Sequence, residues 1–133
     1  SFDAIEHFHQ SPKAMLHEAV TALVPGGWLI VATPNAANLR KRISAGLGRT
    51  TWSLMGEWYE QPVFRSHVRE PIVSDLRYIA RDLGLVEVRI LGRNFAGQAR
   101  TGIVGTLASM MDAPLQAMPG LCSDIYLVGR KRL

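Results

Sequence analysis

The sequence predicts an α/β fold, on three observations. Trp28 to Ala32 is apolar throughout and is bounded by turn residues, Pro25-Gly26-Gly27 before it and Pro34 after it. Amphipathic helical spacing precedes this run and recurs downstream, at about residues 73–83. Val86, Val88 and Ile90 then alternate with Glu87 and Arg89 at strand period. An apolar strand without alternation reads as buried on both faces, under helices, as in parallel sheets. Such sheets carry their chemistry at the carboxyl ends of the strands, where Thr33-Pro34-Asn35 falls.

Each element has its own signal. Ser11-Pro12 combines an N-cap residue with proline at the first helical position, and Met15, Leu16, Ala19, Val20 and Leu23 follow at helical spacing. Proline and glycine at 25–27 end that helix and start the strand. Asn38 to Ala45 forms a basic helix closed by Gly46 and Gly48; a phosphate loop would instead open a helix. Residues 50–70, with Trp52, Trp58, Tyr59, Pro62 and Phe64, lack periodicity and read as an aromatic-rich lid or packing segment. A second helix starts between Pro71 and Ser74, carries Leu76, Ile79, Ala80 and Leu83 inward, and is closed by Gly84. A third apolar-faced helix spans about Thr101 to Asp112 with Pro114 beyond it, and DIYLVG, Asp124 to Gly129, forms a last strand.

Composition bounds the function. At 133 residues the chain holds one domain with a core but is short for a complete doubly wound enzyme. No run approaches the ~18 apolar residues of a spanning helix, and the acidic, uncored amino terminus is not a signal peptide. A single cysteine, Cys122, fits a reducing compartment, so the sequence predicts a cytoplasmic protein. The net charge of +4 is mild, and no aromatic residues interleave with Arg40-Lys41-Arg42, so a nucleic-acid binder is not expected. That cluster follows the strand end and could meet an anionic substrate.

SFDAIEHFHQSP followed by MLHEAVTALVPGGWLIVATPN resembles the second half of class I S-adenosylmethionine-dependent methyltransferases of the type 11/12 kind. HVREPIVSDLRYIARDLGLVEVRI resembles the same family's helix and sixth strand. The two stretches cover most of residues 1–35 and 67–91. Glu6-His7 and the Pro34-Asn35 exit, at the family's spacing, make the combination specific; residues 95–133 match only in the expectation of a closing strand. The resemblance implies a Rossmann-like doubly wound sheet whose last strand inserts antiparallel between residues 86–91 and Trp28 to Thr33. The family's glycine-rich cofactor loop would lie upstream of Ser1, with residues 1–5 as the tail of a fourth strand. Residues 1–133 thus read as the carboxyl half of a methyltransferase domain, with insert-like or lid-like segments at about 36–70 and 95–120.

By the same resemblance the cofactor is S-adenosylmethionine, with the backbone around Phe2 and Asp3 along its methionine part and Glu6 and His7 near the transferred methyl group. His7 could act as general base, with capping the following helix or bonding to a neighbouring loop as the structural alternative, and Glu6 could touch substrate as a catalytic residue, orient His7 or hold backbone. Pro34, Asn35, His67 and Arg69 are the expected acceptor contacts, with loop anchoring as the alternative for His67 and Arg69. Glu6, His7 and His9 suggest a metal, but a second carboxylate or histidine at ligand spacing is missing from the sequence, so none is expected. The expected reaction is methyl transfer to a small-molecule, lipid- or glycan-like acceptor. The rival expectation is a non-catalytic half-domain that forms a homodimer or docks on another protein, because an open half-sheet edge invites pairing.

Overall fold

The computed structural model describes residues 1–94 and 102–133, without the side chains at 103–105, 107–109 and 111. The elements are α1 (Lys13–Ala22), β1 (Trp28–Pro34), α2 (Leu39–Gly46), α3 (Met55–Tyr59), α4 (Val73–Asp82), β2 (Val86–Arg93), α5 (Gly102–Gln116) and β3 (Asp124–Arg130), with 3-10 turns at Ile5–His7 and Pro119–Leu121. The sheet order is β1-β3-β2, and β3 is antiparallel to both neighbours. The closing strand therefore inserts where the resemblance places it. Residues 1–3 run parallel along the free edge of β1, through the Phe2–Ala32 bridge and bonds from Asp3 N–H to Ala32 O (3.1 Å) and Ala32 N–H to Ser1 O (2.9 Å).

Local chemistry accounts for the boundaries. Ser11 Oγ accepts the Lys13 N–H at 3.3 Å, and Asn38 Oδ1 accepts the Lys41 N–H at 2.9 Å to cap α2. Gly26, at φ 76°, makes the turn into β1, a conformation closed to most side chains. At α4, Asp75 Oδ2 accepts the Ile72 N–H at 3.1 Å, satisfying a backbone donor at the helix start.

The core lies on one side of the sheet. Leu29 and Val31 of β1 and Ile125 and Leu127 of β3 meet Leu16 of α1, Leu76 and Ala80 of α4, and Leu83 just after it. Burial of β1 on both faces is not what the structure shows: Trp28 is 46% and Ile30 41% exposed. The physical reason is that α1 and α4 share one face. The opposite face, with Phe2, Trp28, Ile30 and Leu91, carries no helix of that core cluster.

Three further expectations change. The alternation of β2 breaks at a register shift between Val86 and Arg89, where Glu87 takes φ 52° and Val88 turns outward. Such a bulge puts two residues against one and resets which face follows. α5 continues through Pro114 to Gln116; proline there removes one helical donor without ending the helix. The aromatic segment contains α3, yet Trp52, Trp58 and Tyr59 are exposed. Of the apolar set expected on α5, Met110 is exposed, while the side chains of Ile103, Val104, Leu107 and Met111, and the part of the 95–120 segment at 95–101, lie outside the described residues. Among the described residues no helix is long and apolar enough to cross a membrane.

Candidate functional site

The carboxyl end of β1 and the Ile5–His7 turn lie side by side because residues 1–3 are a parallel neighbour of β1. Side chains leaving both ends enter one crevice. Glu6 is wholly enclosed there, and its Oε2 accepts the Thr33 hydroxyl at 3.2 Å. Its backbone carbonyl accepts the N–H groups of Val68 (2.7 Å) and Arg69 (3.2 Å), which binds the distant 67–70 segment to the turn. Among the described residues Glu6 Oε1 is buried without a hydrogen-bond partner, with His7 Nε2 4.0 Å away.

That junction brings two histidines together. The rings of His7 and His67 meet edge to face with centroids 4.8 Å apart. His67 Nδ1 donates to Glu70 Oε1 at 2.7 Å, while Glu70 Oε2 takes the Lys41 ammonium. Burial pushes the Glu70 carboxyl up, but its bonds to Lys41 and His67 outweigh that and hold it below the usual carboxylate range. With Nδ1 so engaged, Nε2 is the His67 nitrogen left without a hydrogen-bond partner among the described residues.

The 50–66 segment roofs this junction. A cavity of about 220 Å³ is lined by Lys41, Trp52, His67, Arg69 and Glu70, and a wider cleft of about 610 Å³ by His7, Glu57, Gln61 and Arg65. His7 and His67 thus open onto clefts that mix charged, polar and aromatic groups.

The other sequence-predicted residues fall into different places. Asn35 braces the strand end. Its Nδ2 donates to Gly120 O (3.1 Å) and Cys122 O (2.8 Å), its Oδ1 accepts the Ala37 N–H (3.0 Å), and the residue is wholly buried. Pro34 ends β1 opposite Asp124. Arg69 lines the smaller cavity and reaches Asp75 Oδ2 at 3.4 Å. Phe2 lies on the open sheet face against Tyr126, and Asp3 takes a left-handed φ of 45° just past the parallel bridge. The basic cluster disperses: Lys41 pairs with Glu70, and Arg42 donates to Ala37 O (2.6 Å) and Gly120 O (3.2 Å). Sequence reading did not single out Glu70; the HVRE run holds it, but nothing local shows which partners it meets.

No family model and no curated protein matches the chain. Solved structures do. A methyltransferase of Thermotoga maritima that depends on S-adenosylmethionine, described as a possible histamine N-methyltransferase, aligns over 98% of this chain and 53% of its own at 17% identity and TM-score 0.61. Phosphoethanolamine N-methyltransferase 2 of Haemonchus contortus, in complex with S-adenosylmethionine, aligns over 100% and 32% at 14% identity and TM-score 0.55. A methyltransferase of Archaeoglobus fulgidus with the same cofactor dependence aligns over 98% and 57% at 13% identity and TM-score 0.51. The chain therefore has a partial Rossmann-like fold of class I methyltransferases, and it spans between about a third and just over half the length of these neighbours.

Proposed function

We propose that the chain forms the acceptor-facing half of an S-adenosylmethionine-dependent methyltransferase domain acting on a small molecule. The observation that carries this reading is the meeting of His7 and His67, over the enclosed Glu6, at the carboxyl end of β1 in a methyltransferase fold. The residues present fit one wall of a cofactor site: Asp3, exposed and at a left-handed φ of 45°, turns the chain at the end of the segment that runs beside β1. When bound, the cofactor supplies a methyl group on an already activated sulfonium, so the protein must orient the acceptor, exclude water and take a proton.

The chain's own groups suit those tasks. Glu70 fixes the His67 ring through Nδ1, which keeps Nε2 free to accept a proton from an amine or hydroxyl. His7, partly exposed above Glu6, serves as a second acceptor, and Lys41 and Arg69 give the smaller cavity cationic character toward an acceptor with an anionic group. The test is calorimetric titration of S-adenosylmethionine into this chain and into the polypeptide extended upstream through a glycine-rich loop, followed by methyl transfer assays on amine- and hydroxyl-bearing acceptors. Binding only by the extended chain, with His67→Ala lowering turnover about 100-fold, is the expected result. An extended chain that has the loop and still does not bind sinks the reading.

A second reading, a non-catalytic module that pairs through its sheet, is favoured by the apolar face of Phe2, Trp28, Ile30 and Leu91. Sedimentation of the wild type against Trp28→Lys/Ile30→Thr separates the two. A dimer in the extended chain that this double change abolishes, without cofactor binding, supports pairing.

A further inference from the structure

We propose that Glu6, His7 and His67 form a binding site for one first-row divalent cation, with Zn²⁺ as the simplest occupant. One carboxylate oxygen and one nitrogen from each ring lie within 4.8 Å of one another. Two imidazoles and a carboxylate are the donor set that zinc and its neighbours take when one coordination position stays open to water or substrate.

Four features separate this cluster from a chance meeting of polar residues. Glu6 Oε1 is enclosed and has no hydrogen-bond partner among the described residues, so a charge-bearing atom faces the cluster uncompensated. An unpaired buried carboxylate oxygen is costly, and a cation is the partner that removes the cost. His67 is already oriented: Glu70 takes its Nδ1 proton, and Lys41 holds Glu70. A carboxylate behind a histidine is the usual support of a metal-bound imidazole, since it fixes the tautomer and raises the basicity of the free nitrogen. The two segments that carry the donors are tied by the Val68 and Arg69 N–H bonds to the Glu6 carbonyl, so the donors move together. Finally, the wider cleft beside His7 gives an entry path and room for a fourth ligand.

The geometry needs a small closure. Zinc takes nitrogen and oxygen donors at about 2.0–2.2 Å, so tetrahedral donors stand roughly 3.4 Å apart, and separations of up to 4.8 Å here must shrink by as much as about 1.4 Å. His7 can supply that movement, because its side chain is 41% exposed while Glu6 is fixed.

The site shares His7 and His67 with the methyl-transfer reading, and a bound cation would occupy the ring nitrogens which that reading gives to proton acceptance; its test measures the metal alone, so the two readings fail separately. Zn²⁺ and Co²⁺ are titrated into the full chain, by calorimetry and by the visible absorption of cobalt. The expected result is one ion per chain with micromolar or tighter affinity and a cobalt band of tetrahedral or five-coordinate intensity. His7→Ala and His67→Ala should each weaken binding at least about 100-fold, and Glu70→Gln, which touches no metal, about 10- to 100-fold. His17→Ala, a surface histidine bonded to Asp82, should change nothing. Far-UV circular dichroism checks that each variant is folded, and the two histidine variants carry the test if Glu6→Gln does not fold. Affinity weaker than millimolar overturns the proposal. So does binding that survives His67→Ala or ignores Glu70→Gln, which would mark an adventitious ion only.

Discussion

Asn35 gives the sharpest test of how the strand end is built. Its carboxamide makes three hydrogen bonds to backbone, two donated to the carbonyls of Gly120 and Cys122 and one accepted from Ala37, with no exposure to solvent. In Asn35→Ala the Gly120 carbonyl keeps the Arg42 guanidinium, but the Cys122 carbonyl and the Ala37 N–H lose this partner. Each unsatisfied group costs about 1–3 kcal/mol, and water reaches the half-buried Ala37, so a loss of about 2–4 kcal/mol is expected. For a domain of this size that lowers the melting temperature by roughly 8–16 °C. Asn35→Asp should be worse at pH 7, because its second carboxylate oxygen would face two carbonyl oxygens with no proton between them. Protonation restores one donor, so the folded state favours the protonated form. The variant's stability is then fullest in acid and falls as pH rises through the raised folded pKa. Urea denaturation at pH 4.5 and 7 measures both effects, with an unchanged m-value confirming that stability alone has moved. A change below 0.5 kcal/mol in Asn35→Ala, or an Asn35→Asp more stable than Asn35→Ala at pH 7, refutes the brace.

Glu70 has its folded pKa held below the usual 4.5, so its stabilisation is complete above that value and is lost as pH falls through the folded one. The stability difference between wild type and Glu70→Gln should accordingly narrow below about pH 4.5 in urea titrations; a constant difference would show that Lys41 and His67 do not engage the charge. Gly92→Ala should destabilise by about 1–3 kcal/mol or more, because its methyl would lie 2.5 Å from Cys122 Sγ and 2.8 Å from Pro119 Cα. A neutral result in denaturation would mean that the Pro119–Cys122 turn yields. Cys122 is enclosed and burial pushes its thiol up, so an aromatic disulfide reagent should modify it at least about 100-fold more slowly in the native chain than in guanidinium. Equal rates would show that this turn opens readily.

What the sequence revealed followed the distance over which each signal acts. α1, β1 and α4 were legible because caps, turn residues and periodicity lie within a few positions of one another. The Trp28 to Ala32 run was misread because an apolar run reports a preference for burial, while coverage depends on which face α1 and α4 choose. The bulge at Glu87 was hidden, since Glu-Val-Arg reads as ordinary alternation unless the backbone shift is known. The sequence places Pro114 beyond the third helix, whereas the helix runs through it to Gln116, giving up one backbone donor. The site was half visible. Glu6 and His7 are neighbours, but His67 and Glu70 reach them from 60 residues away through two backbone hydrogen bonds that leave no mark on composition. The bonds of Asn35 go to the Pro119–Cys122 turn, some 85 residues downstream, and nothing near a strand exit signals a partner that far along the chain.

The structural task at Glu6 can be separated from its side chain. The bonds that tie the 67–70 segment to the turn go to the Glu6 backbone carbonyl, which any residue would supply. The carboxylate adds one bond from Thr33, and that hydroxyl has a second acceptor in the Pro34 carbonyl at 3.4 Å. Against that single bond stands the cost of enclosing a carboxylate with one oxygen unpartnered. Replacing a poorly compensated buried charge by an apolar side chain of similar volume is often neutral or stabilising. Glu6→Met should therefore hold the wild-type urea midpoint or raise it, by up to about 1–3 kcal/mol, while abolishing cobalt binding. Such a pairing of results would mean that the carboxylate is kept for what it binds. A loss of more than about 1 kcal/mol in Glu6→Met would place Glu6 among the residues that hold the fold, and the Thr33 bond would then be the part of the site that the chain cannot do without.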